Sequence, residues 1–288
     1  MTTPTRRLYQ NPIFDSARWD SYRARPDDIL IATPPKCGTT WMQRIVSCLV
    51  FGSSRLPDDL DSLSPWFDYL LRDADLDALL ARLEAQRHRR FVKTHLPADG
   101  LPELPETVRY VFVARDLRDA VLSFHNQMWH SREAFPGIPG DPREFWRLVF
   151  SGGTIAGDFV IRDMFTGPLA TWWQRRNDPR VLMVHYQDML DDLEGQMRRV
   201  AGHLGITIPE ETWPELVNAC RFETMRADSA RLVPPVPAED GEQWFFHRGT
   251  SGQWRGTVTA EDLALYEETV SALPSGLRTW VESGGQAG

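Results

Sequence analysis

The stretch DILIATPPKCGTTW, residues 28–41, decides the fold of this 288-residue chain. Its apolar residues 29–32 predict a buried strand, and the residues after it have the apolar spacing of a helix at Met42, Ile45, Val46 and Leu49. A strand, a turn and a helix N-terminus direct free backbone N–H groups at one point, where the helix dipole adds positive potential. The stretch therefore predicts an anion cradle, in which Gly38 admits the backbone closely and Lys36 supplies charge.

Short apolar runs and helical patterns alternate from about residue 28 to residue 204, which is typical of a parallel sheet covered on both faces. The other predicted strands are residues 90–93, 108–114 and 181–184, and the predicted helices include residues 76–83, 190–204 and 260–273. We expect an α/β fold in a single domain over residues 1–288, with a core at about 28–273. A mobile loop is expected at 226–247 and a frayed tail from residue 283.

The composition excludes several classes of protein. Hydrophobic residues make up 42% and charged residues 25% of the chain, which excludes wholesale disorder. A net charge of −8 disfavours non-specific binding to nucleic acid. Cys37, Cys48 and Cys220 are too few and too scattered for a disulfide framework, and no signal peptide or spanning segment is apparent. We therefore expect a cytoplasmic protein.

The anion cradle departs from the loop of nucleoside-triphosphate enzymes. That loop reads GxxxxGK[ST], whereas here Lys36 precedes Gly38, the only glycine of the stretch. The predicted strand at 108–114 is followed by Arg115 rather than by a lone acid that would hold magnesium. A P-loop kinase or nucleotide hydrolase using ATP-Mg is therefore the alternative, together with a catalytically silent nucleotide-binding protein.

Four ordered motifs carry a family resemblance. They are the loop TPPKCGTTW, the stretch VKTHLP at 92–97, YVFVARDLRDAVLS at 110–123 and RGTSGQWR at 248–255. Over residues 28–265 the sequence resembles the cytosolic sulfotransferase family, whose loop reads close to TYPKSGTTW. The resemblance implies a P-loop nucleotide-kinase-like sulfotransferase fold. It also implies transfer of a sulfuryl group from 3′-phosphoadenosine 5′-phosphosulfate to a hydroxyl or amine of a small-molecule or lipid acceptor. No metal is expected, because the sequence has no HExxH, no paired cysteines and no suitable acidic cluster.

The resemblance also implies roles for individual residues. The 5′ phosphosulfate would be held by Lys36, Cys37, Gly38, Thr39, Thr40 and Trp41. Arg115 and Ser123 would bind the 3′ phosphate, with Arg248 and Gly249 beside it. Trp41 and Phe222 would stack on adenine, and Tyr186 would hydrogen-bond the nucleotide.

His95 is the histidine of the matching motif VKTHLP, so the resemblance implies that it is the general base. Histidine can accept a proton near neutral pH, and His95 follows a predicted strand, where ligands of parallel sheets bind. Lys93 is two residues earlier, so on an extended backbone both side chains point to the same face. Lys93 and Lys36 would stabilise the transferring sulfuryl group and the leaving phosphate.

Some positions leave alternatives open. Cys37 replaces the serine of the family, so either its backbone alone acts or the helix N-terminus and Lys36 activate its thiol. His247 replaces an arginine, which leaves Arg248 for the 3′ phosphate. Several aromatic residues either line an apolar acceptor pocket or belong to the core, namely Trp66, Phe67, Trp129, Phe145 and Trp146. The acceptor and the oligomeric state are not predicted.

Overall fold

The computed structural model describes residues 6–70, 75–131, 137–155, 157–233 and 245–287. The strands are β1 Ile29–Ala32, β2 Phe91–Thr94, β3 Arg109–Ala114, β4 Thr154–Ile155, β5 Phe159–Val160 and β6 Val181–His185. The helices are α1 Thr39–Phe51, α2 Leu60–Leu63, α3 Leu76–Ala85, α4 Leu117–His130, α5 Pro142–Phe150, α6 Asp163–Gln174, α7 Tyr186–Asp191, α8 Leu193–Leu204, α9 Trp213–Ala219, α10 Phe222–Ala227, α11 Ser229–Leu232, α12 Ala260–Ser271 and α13 Ser275–Ser283.

The main sheet has the strand order β2-β1-β3-β6, and all of its strands are parallel. The four strands predicted from the sequence are confirmed to within one residue at each end. Ile29 pairs with Phe91 on one side and with Arg109 on the other. This register brings the carboxyl ends of the strands to one edge of the sheet.

Both faces of the sheet are buried, which explains why its strands read as unbroken apolar runs. In β1, Leu30 and Ala32 contribute to one apolar cluster, while Ile29 and Ile31 contribute to another on the opposite face. The first cluster is covered by α3, α4, α5, α6, α12 and α13. The second is covered by α1, α2 and the helices from α7 to α11. The expected parallel sheet flanked by helices is therefore confirmed.

Two predicted segments differ from the structure. The helix predicted at 190–204 is divided between α7 and α8, because Asp192 leaves the helical conformation and its side chain accepts a hydrogen bond from the Gly195 N–H. The loop predicted at 226–247 begins later, since α10 and α11 continue to Leu232. The part of that prediction at 234–244 lies outside the described residues.

The C-terminal region is more ordered than its sequence suggests. Helix α13 was not predicted, yet Leu277, Trp280 and Val281 are buried on its inner face. The Trp280 indole N–H donates to the carbonyl oxygen of Gly285 at 2.9 Å, so the prediction of fraying from residue 283 is wrong as far as Gly285. Within the described ranges, none of the helices has both the length and the apolar character that a bilayer crossing demands.

Candidate active site

The candidate site lies where the four parallel strands end. The loop 33–38 follows β1, His95 follows β2, Arg115 follows β3 and Tyr186 follows β6. These residues surround a cavity of about 400 Å³, called here the central cavity. In the sheet, the chain passes from β1 to β2 on one side and then returns to β3 on the other side of β1. The direction of the strand order therefore reverses at β1, and ligands of parallel sheets bind in the crevice that forms at such a reversal.

The structure brings the predicted site residues together, with one exception. The lining of the central cavity includes Lys36, Gly38, Thr39, Thr40, Trp41, Lys93, His95, Arg115, Ser123, Tyr186, Phe222, Arg248 and Gly249. The exception is Cys37, which is fully buried. Burial raises the pKa of the Cys37 thiol to about 12, so the hypothesis of an activated thiolate is not supported.

The loop that follows β1 contains two residues with positive φ angles. Lys36 has φ 61° and Gly38 has φ 100°, both in the left-handed region. That region costs a residue with a side chain about 1–2 kcal/mol, so the strain at Lys36 is maintained by the surrounding structure. A Cβ at Gly38 would lie 3.0 Å from Cδ2 of Tyr186. The positive φ therefore favours glycine there, the added Cβ would be in tight contact with the Tyr186 ring, and α1 begins immediately after Gly38.

Lys36 provides a cation whose charge depends on what the cavity holds. Its Nζ lies 4.0 Å from the centroid of the Phe245 ring. Burial, followed by the positive charge of Arg115, lowers the pKa of Lys36 to about 7. An anion bound in the cavity would reverse this shift, because it favours the protonated amine.

Arg115 is a second cation and is held in place from several directions. Its Nη2 donates to the carbonyl oxygen of Thr250 at 2.9 Å, and its Nη1 to that of Lys36 at 3.3 Å. Its guanidinium carbon lies 4.4 Å from the centroid of the Tyr186 ring. The Nε of Arg115 is buried and has no partner among the described residues. Arg115 also lines the central cavity, where its guanidinium suits an anionic oxygen.

His95 is oriented by the loop after β1. Its Nδ1 lies 2.7 Å from the carbonyl oxygen of Thr33, which can only accept a hydrogen bond. The proton is therefore assigned to Nδ1, and Nε2 carries the lone pair. Burial lowers the pKa of His95 to about 4, with further lowering from the charges of Lys93 and Lys36. His95 is accordingly neutral at pH 7 and able to accept a proton.

Lys93 and His95 share a neighbour, Trp66, which the sequence proposed only as one of several aromatic candidates. The His95 and Trp66 ring centroids are 4.5 Å apart, and Lys93 Nζ lies 6.0 Å from the Trp66 ring. Lys93 Nζ is also 3.9 Å from Oδ1 of Asp61. The Trp66 indole N–H donates to Asp68, a buried carboxylate that also accepts from Thr94 at 2.5 Å.

Burial raises the pKa of Asp68 to about 6. Sequence reasoning missed both Asp61 and Asp68, because neither stands in a recognisable motif. Asp61 contacts Lys93 and Asp68 contacts Thr94, and both of these partners lie in β2, well after the two aspartates in the sequence.

The motif at 248–255 is fixed to the site by another residue that was missed. Asp119 on α4 is buried and accepts hydrogen bonds from the N–H groups of Gly252 at 2.7 Å and Trp254 at 3.3 Å. Gly249 has φ 64°, and a Cβ there would lie 2.4 Å from Cδ2 of Phe222. The backbone at Gly249 therefore lies directly against the Phe222 ring.

Trp41 lies near Phe222 because its indole N–H donates to the carbonyl oxygen of Cys220 at 2.8 Å. The ring centroids of Trp41 and Tyr186 are 5.3 Å apart. Three aromatic rings thus border one part of the central cavity, where a flat heterocycle could be held.

Most of the aromatic candidates for an acceptor pocket belong to the core instead. Phe67, Phe145 and Trp146 are fully buried, and Trp129 is 38% exposed outside the central cavity. Trp66 does line the cavity, in the company of other apolar side chains that the sequence did not indicate, among them Ile13, Tyr69, Phe124, Met128 and Met164.

Asp116, the acidic residue that follows Arg115, stabilises the N-terminus of α4. Asp116 caps α4 by accepting from the Arg118 N–H at 2.9 Å and pairs with the Arg118 guanidinium at 2.8 Å. The described part of the chain contains no group of three or more His, Cys, Asp or Glu side chains able to hold a metal ion.

Comparison with known proteins gives the family. The chain matches the sulfotransferase domain family over residues 26–276. It is 34% identical to a glycolipid sulfotransferase of Mycobacterium bovis, over 96% of this chain and 94% of that protein. Mouse sulfotransferase SULT7A1, solved with 3′,5′-adenosine bisphosphate (PAP), superimposes with a TM-score of 0.70 at 21% identity, covering 94% of each chain. Retinol dehydratase, solved with androsterone and PAP, superimposes with a TM-score of 0.68 at 23% identity, covering 90% of this chain and 84% of that one. The chain belongs to the sulfotransferase family.

Proposed function

We propose that this sulfotransferase moves a sulfuryl group from 3′-phosphoadenosine 5′-phosphosulfate to a hydroxyl of a lipid or apolar small molecule, with His95 as general base. The observation that carries the proposal is the position of His95. Its Nδ1 is occupied by the Thr33 carbonyl, and the residue lines the same cavity as Lys36 and Arg115. A cytoplasmic location is part of the proposal, since the cysteines are free thiols.

The donor has phosphates at both ends of its ribose and therefore needs two cationic positions. Residues 36–41 would hold the 5′ phosphosulfate, because the loop offers backbone N–H groups, the α1 N-terminus and Lys36. Arg115 would bind the 3′ phosphate, with Ser123 and Arg248 also lining the cavity. Trp41, Phe222 and Tyr186 would border adenine.

The chemical step needs one proton acceptor and stabilisation of the leaving group. His95 Nε2 would take the hydroxyl proton as the acceptor oxygen attacks sulfur. The bond between sulfur and the bridging oxygen breaks, and its electron pair remains on the departing phosphate. Lys36 would stabilise that negative charge, while Lys93 would stabilise the sulfuryl oxygens. The products are the sulfate ester and 3′,5′-adenosine bisphosphate, referred to as PAP.

Apolar side chains beside His95 support a hydrophobic acceptor. Trp66 contacts His95 and stacks on Tyr69, and both rings line the central cavity together with Met128. The curated mycobacterial relative is named a glycolipid sulfotransferase, which supports the same class of acceptor. The sugar, lipid or alcohol that is used in nature is to be found by a substrate screen.

The proposal is tested by incubating the enzyme with radiolabelled donor and a panel of phenols, sterols, long-chain alcohols and glycolipids. We expect label in at least one acceptor and no loss of transfer when EDTA is added. A parallel reaction with γ-labelled ATP and magnesium serves as the control. Labelling from ATP and not from the sulfuryl donor would contradict the proposal and favour the kinase alternative.

The pH dependence of donor use follows from two pKa values. His95 must be neutral, so with its pKa at about 4 activity is lost only as the pH falls toward that value. Lys36 must be charged, so with its pKa at about 7 the value of kcat/KM for the donor falls as the pH rises above that value. Steady-state rates from about pH 5 to about pH 9 should show this alkaline limb.

Lys36→Arg should move the alkaline limb of that profile beyond the measured range, because arginine remains protonated. An acid limb at the ordinary histidine pKa, or an alkaline limb that persists in Lys36→Arg, would contradict these assignments.

Gly249→Ala should weaken PAP binding. The added Cβ would collide with the Phe222 ring, and the positive φ of Gly249 disfavours alanine. Displacing a stacked aromatic ring costs about 1–3 kcal/mol, so we expect a loss in affinity of about 10-fold or more by calorimetry. Gly205→Ala, at a positive φ with open space around it, is the matched control. Equal affinity in Gly249→Ala and wild type would rule out Phe222 as a nucleotide contact.

A further inference from the structure

A second cavity, of about 1090 Å³, lies beside the central cavity. It is called here the lateral cavity. His95 and Met164 line both cavities. A molecule whose hydroxyl lies at His95 could therefore extend in two directions, one along the aromatic side of the central cavity and one into the lateral cavity.

The walls of the lateral cavity come from six parts of the fold. They are the N-terminal segment 7–14, the residues that follow β2, the end of α5, β5 with the residue before it, the first turns of α6 and the end of α12. The N-terminal wall is fixed, because the Arg7 N–H donates to the Asp99 carbonyl at 2.9 Å and the Tyr9 hydroxyl donates to the Asp99 carboxylate at 2.8 Å. Strand β5 is joined to this wall by the edge-to-face contact of Phe14 and Phe159, whose centroids are 6.3 Å apart. The cavity is therefore largely preformed.

The chemistry of the lateral cavity differs from that of the central cavity. Its charged lining residues carry both signs, Arg7 and Arg162 against Asp158, Asp163 and Glu268. Arg162 and Asp163 lie 3.6 Å apart, so their charges largely compensate. Mixed donors and acceptors without a dominant sign suit a neutral group with several hydroxyls, rather than an anion or a cation. The rings of Tyr9 and Phe159 add flat apolar surfaces to the same lining.

We propose that the lateral cavity binds the sugar headgroup of an amphipathic acceptor, while the apolar part of that acceptor lies against Trp66, Tyr69 and Met128. His95 stands at the junction, so the hydroxyl that is sulfated belongs to the sugar. This inference rests on the proposed function. It adds where each end of the acceptor binds, with the polar sugar in the lateral cavity and the apolar part in the central cavity. It predicts that a glycoside is a better acceptor than an alcohol with the same alkyl chain.

The test compares octyl glucoside with octanol as acceptors. For the wild type we expect kcat/KM to be at least about 10-fold higher for the glucoside, because polar groups that a ligand leaves unpaired reduce its binding. Ala170→Phe, which projects from α6 into the lateral cavity, should lower the glucoside-to-octanol ratio by about 10-fold. Arg162→Ala should lower the same ratio without adding bulk. Ala81→Phe, on the exposed face of α3, is the matched control and should keep the wild-type ratio.

Three outcomes are decisive. A ratio that falls in both lateral-cavity variants and not in Ala81→Phe supports the inference. A ratio that stays at the wild-type value in both variants, with transfer still observed, overturns the inference and leaves the proposed function intact. If the wild type sulfates neither acceptor, the proposed function fails for this class. Calorimetric binding of octyl glucoside to the PAP-bound protein, wild type against Ala170→Phe, then decides whether the lateral cavity holds the sugar.

Discussion

His95→Asn is expected to lower kcat by about 10²- to 10⁴-fold, the usual contribution of a general base, while PAP binds with nearly unchanged affinity. Asparagine is chosen because its side-chain amide can still donate to the Thr33 carbonyl, the bond that now orients His95 Nδ1. What it lacks is the lone pair at Nε2. The variant therefore separates proton transfer from the structure of the site. Single-turnover rates with saturating donor, together with PAP calorimetry, measure the two effects independently.

His88→Asn is the control for this substitution, because His88 lies outside both cavities and its Nδ1 bonds to a neighbouring backbone oxygen. It should keep the wild-type kcat. If His95→Asn retained more than about a tenth of the wild-type kcat, another residue would have to be the base. If instead PAP affinity collapsed in His95→Asn, the residue would be acting through the structure of the loop.

Arg115→Met should produce the largest loss of donor affinity. Removing a guanidinium that bonds to an anion costs about 1.5–3 kcal/mol, so PAP should bind about 10- to 100-fold more weakly. The affinity for AMP, which lacks the 3′ phosphate, should fall much less. The ratio of PAP to AMP affinity is the informative quantity, because Arg115 also holds the carbonyls of Lys36 and Thr250 and its loss disturbs both ligands alike.

Two further variants refine the Arg115 prediction. Arg115→Lys keeps the charge and loses the planar fork, so its PAP-to-AMP ratio should fall between those of Arg115→Met and the wild type. Arg198→Met removes an arginine from the surface of α8, where it pairs with Glu194 and Glu210, and serves as the control. Equal losses for PAP and AMP in Arg115→Met would place the 3′ phosphate elsewhere.

The sequence predicted the parts of the molecule that depend on local pattern. Strands buried on both faces read as apolar runs, so β1 was placed at its observed ends and the other strands of the main sheet to within one residue. The strand ends then placed Lys36, His95 and Arg115 at one edge of the sheet, because parallel strands share that edge. The family resemblance added roles for residues that pattern alone could not assign.

The parts that depend on distant contacts were not predictable in this way. Asp119 acts through backbone N–H groups more than 130 residues away along the chain. Asp68 orients Trp66 and binds Thr94 on a different element. The burial of Cys37 depends on core packing around the loop, whereas its sequence neighbours suggested an activated thiol. The lateral cavity is formed by segments that lie far apart along the chain, and apart from His95 and Pro97 its lining residues stand in none of the four motifs.

The most direct test of the central claim is a thermal stability series with PAP, AMP and ATP-Mg. At about 100 times its dissociation constant PAP should stabilise the fold by about 2.7 kcal/mol, which raises Tm by roughly 4–5 °C for a chain of this size. We expect a much smaller shift with the same concentration of AMP or ATP-Mg, since neither places a phosphate at the 3′ position beside Arg115. Protection by ATP-Mg equal to that by PAP, or by AMP equal to that by PAP, would contradict the account of two cationic positions holding one donor.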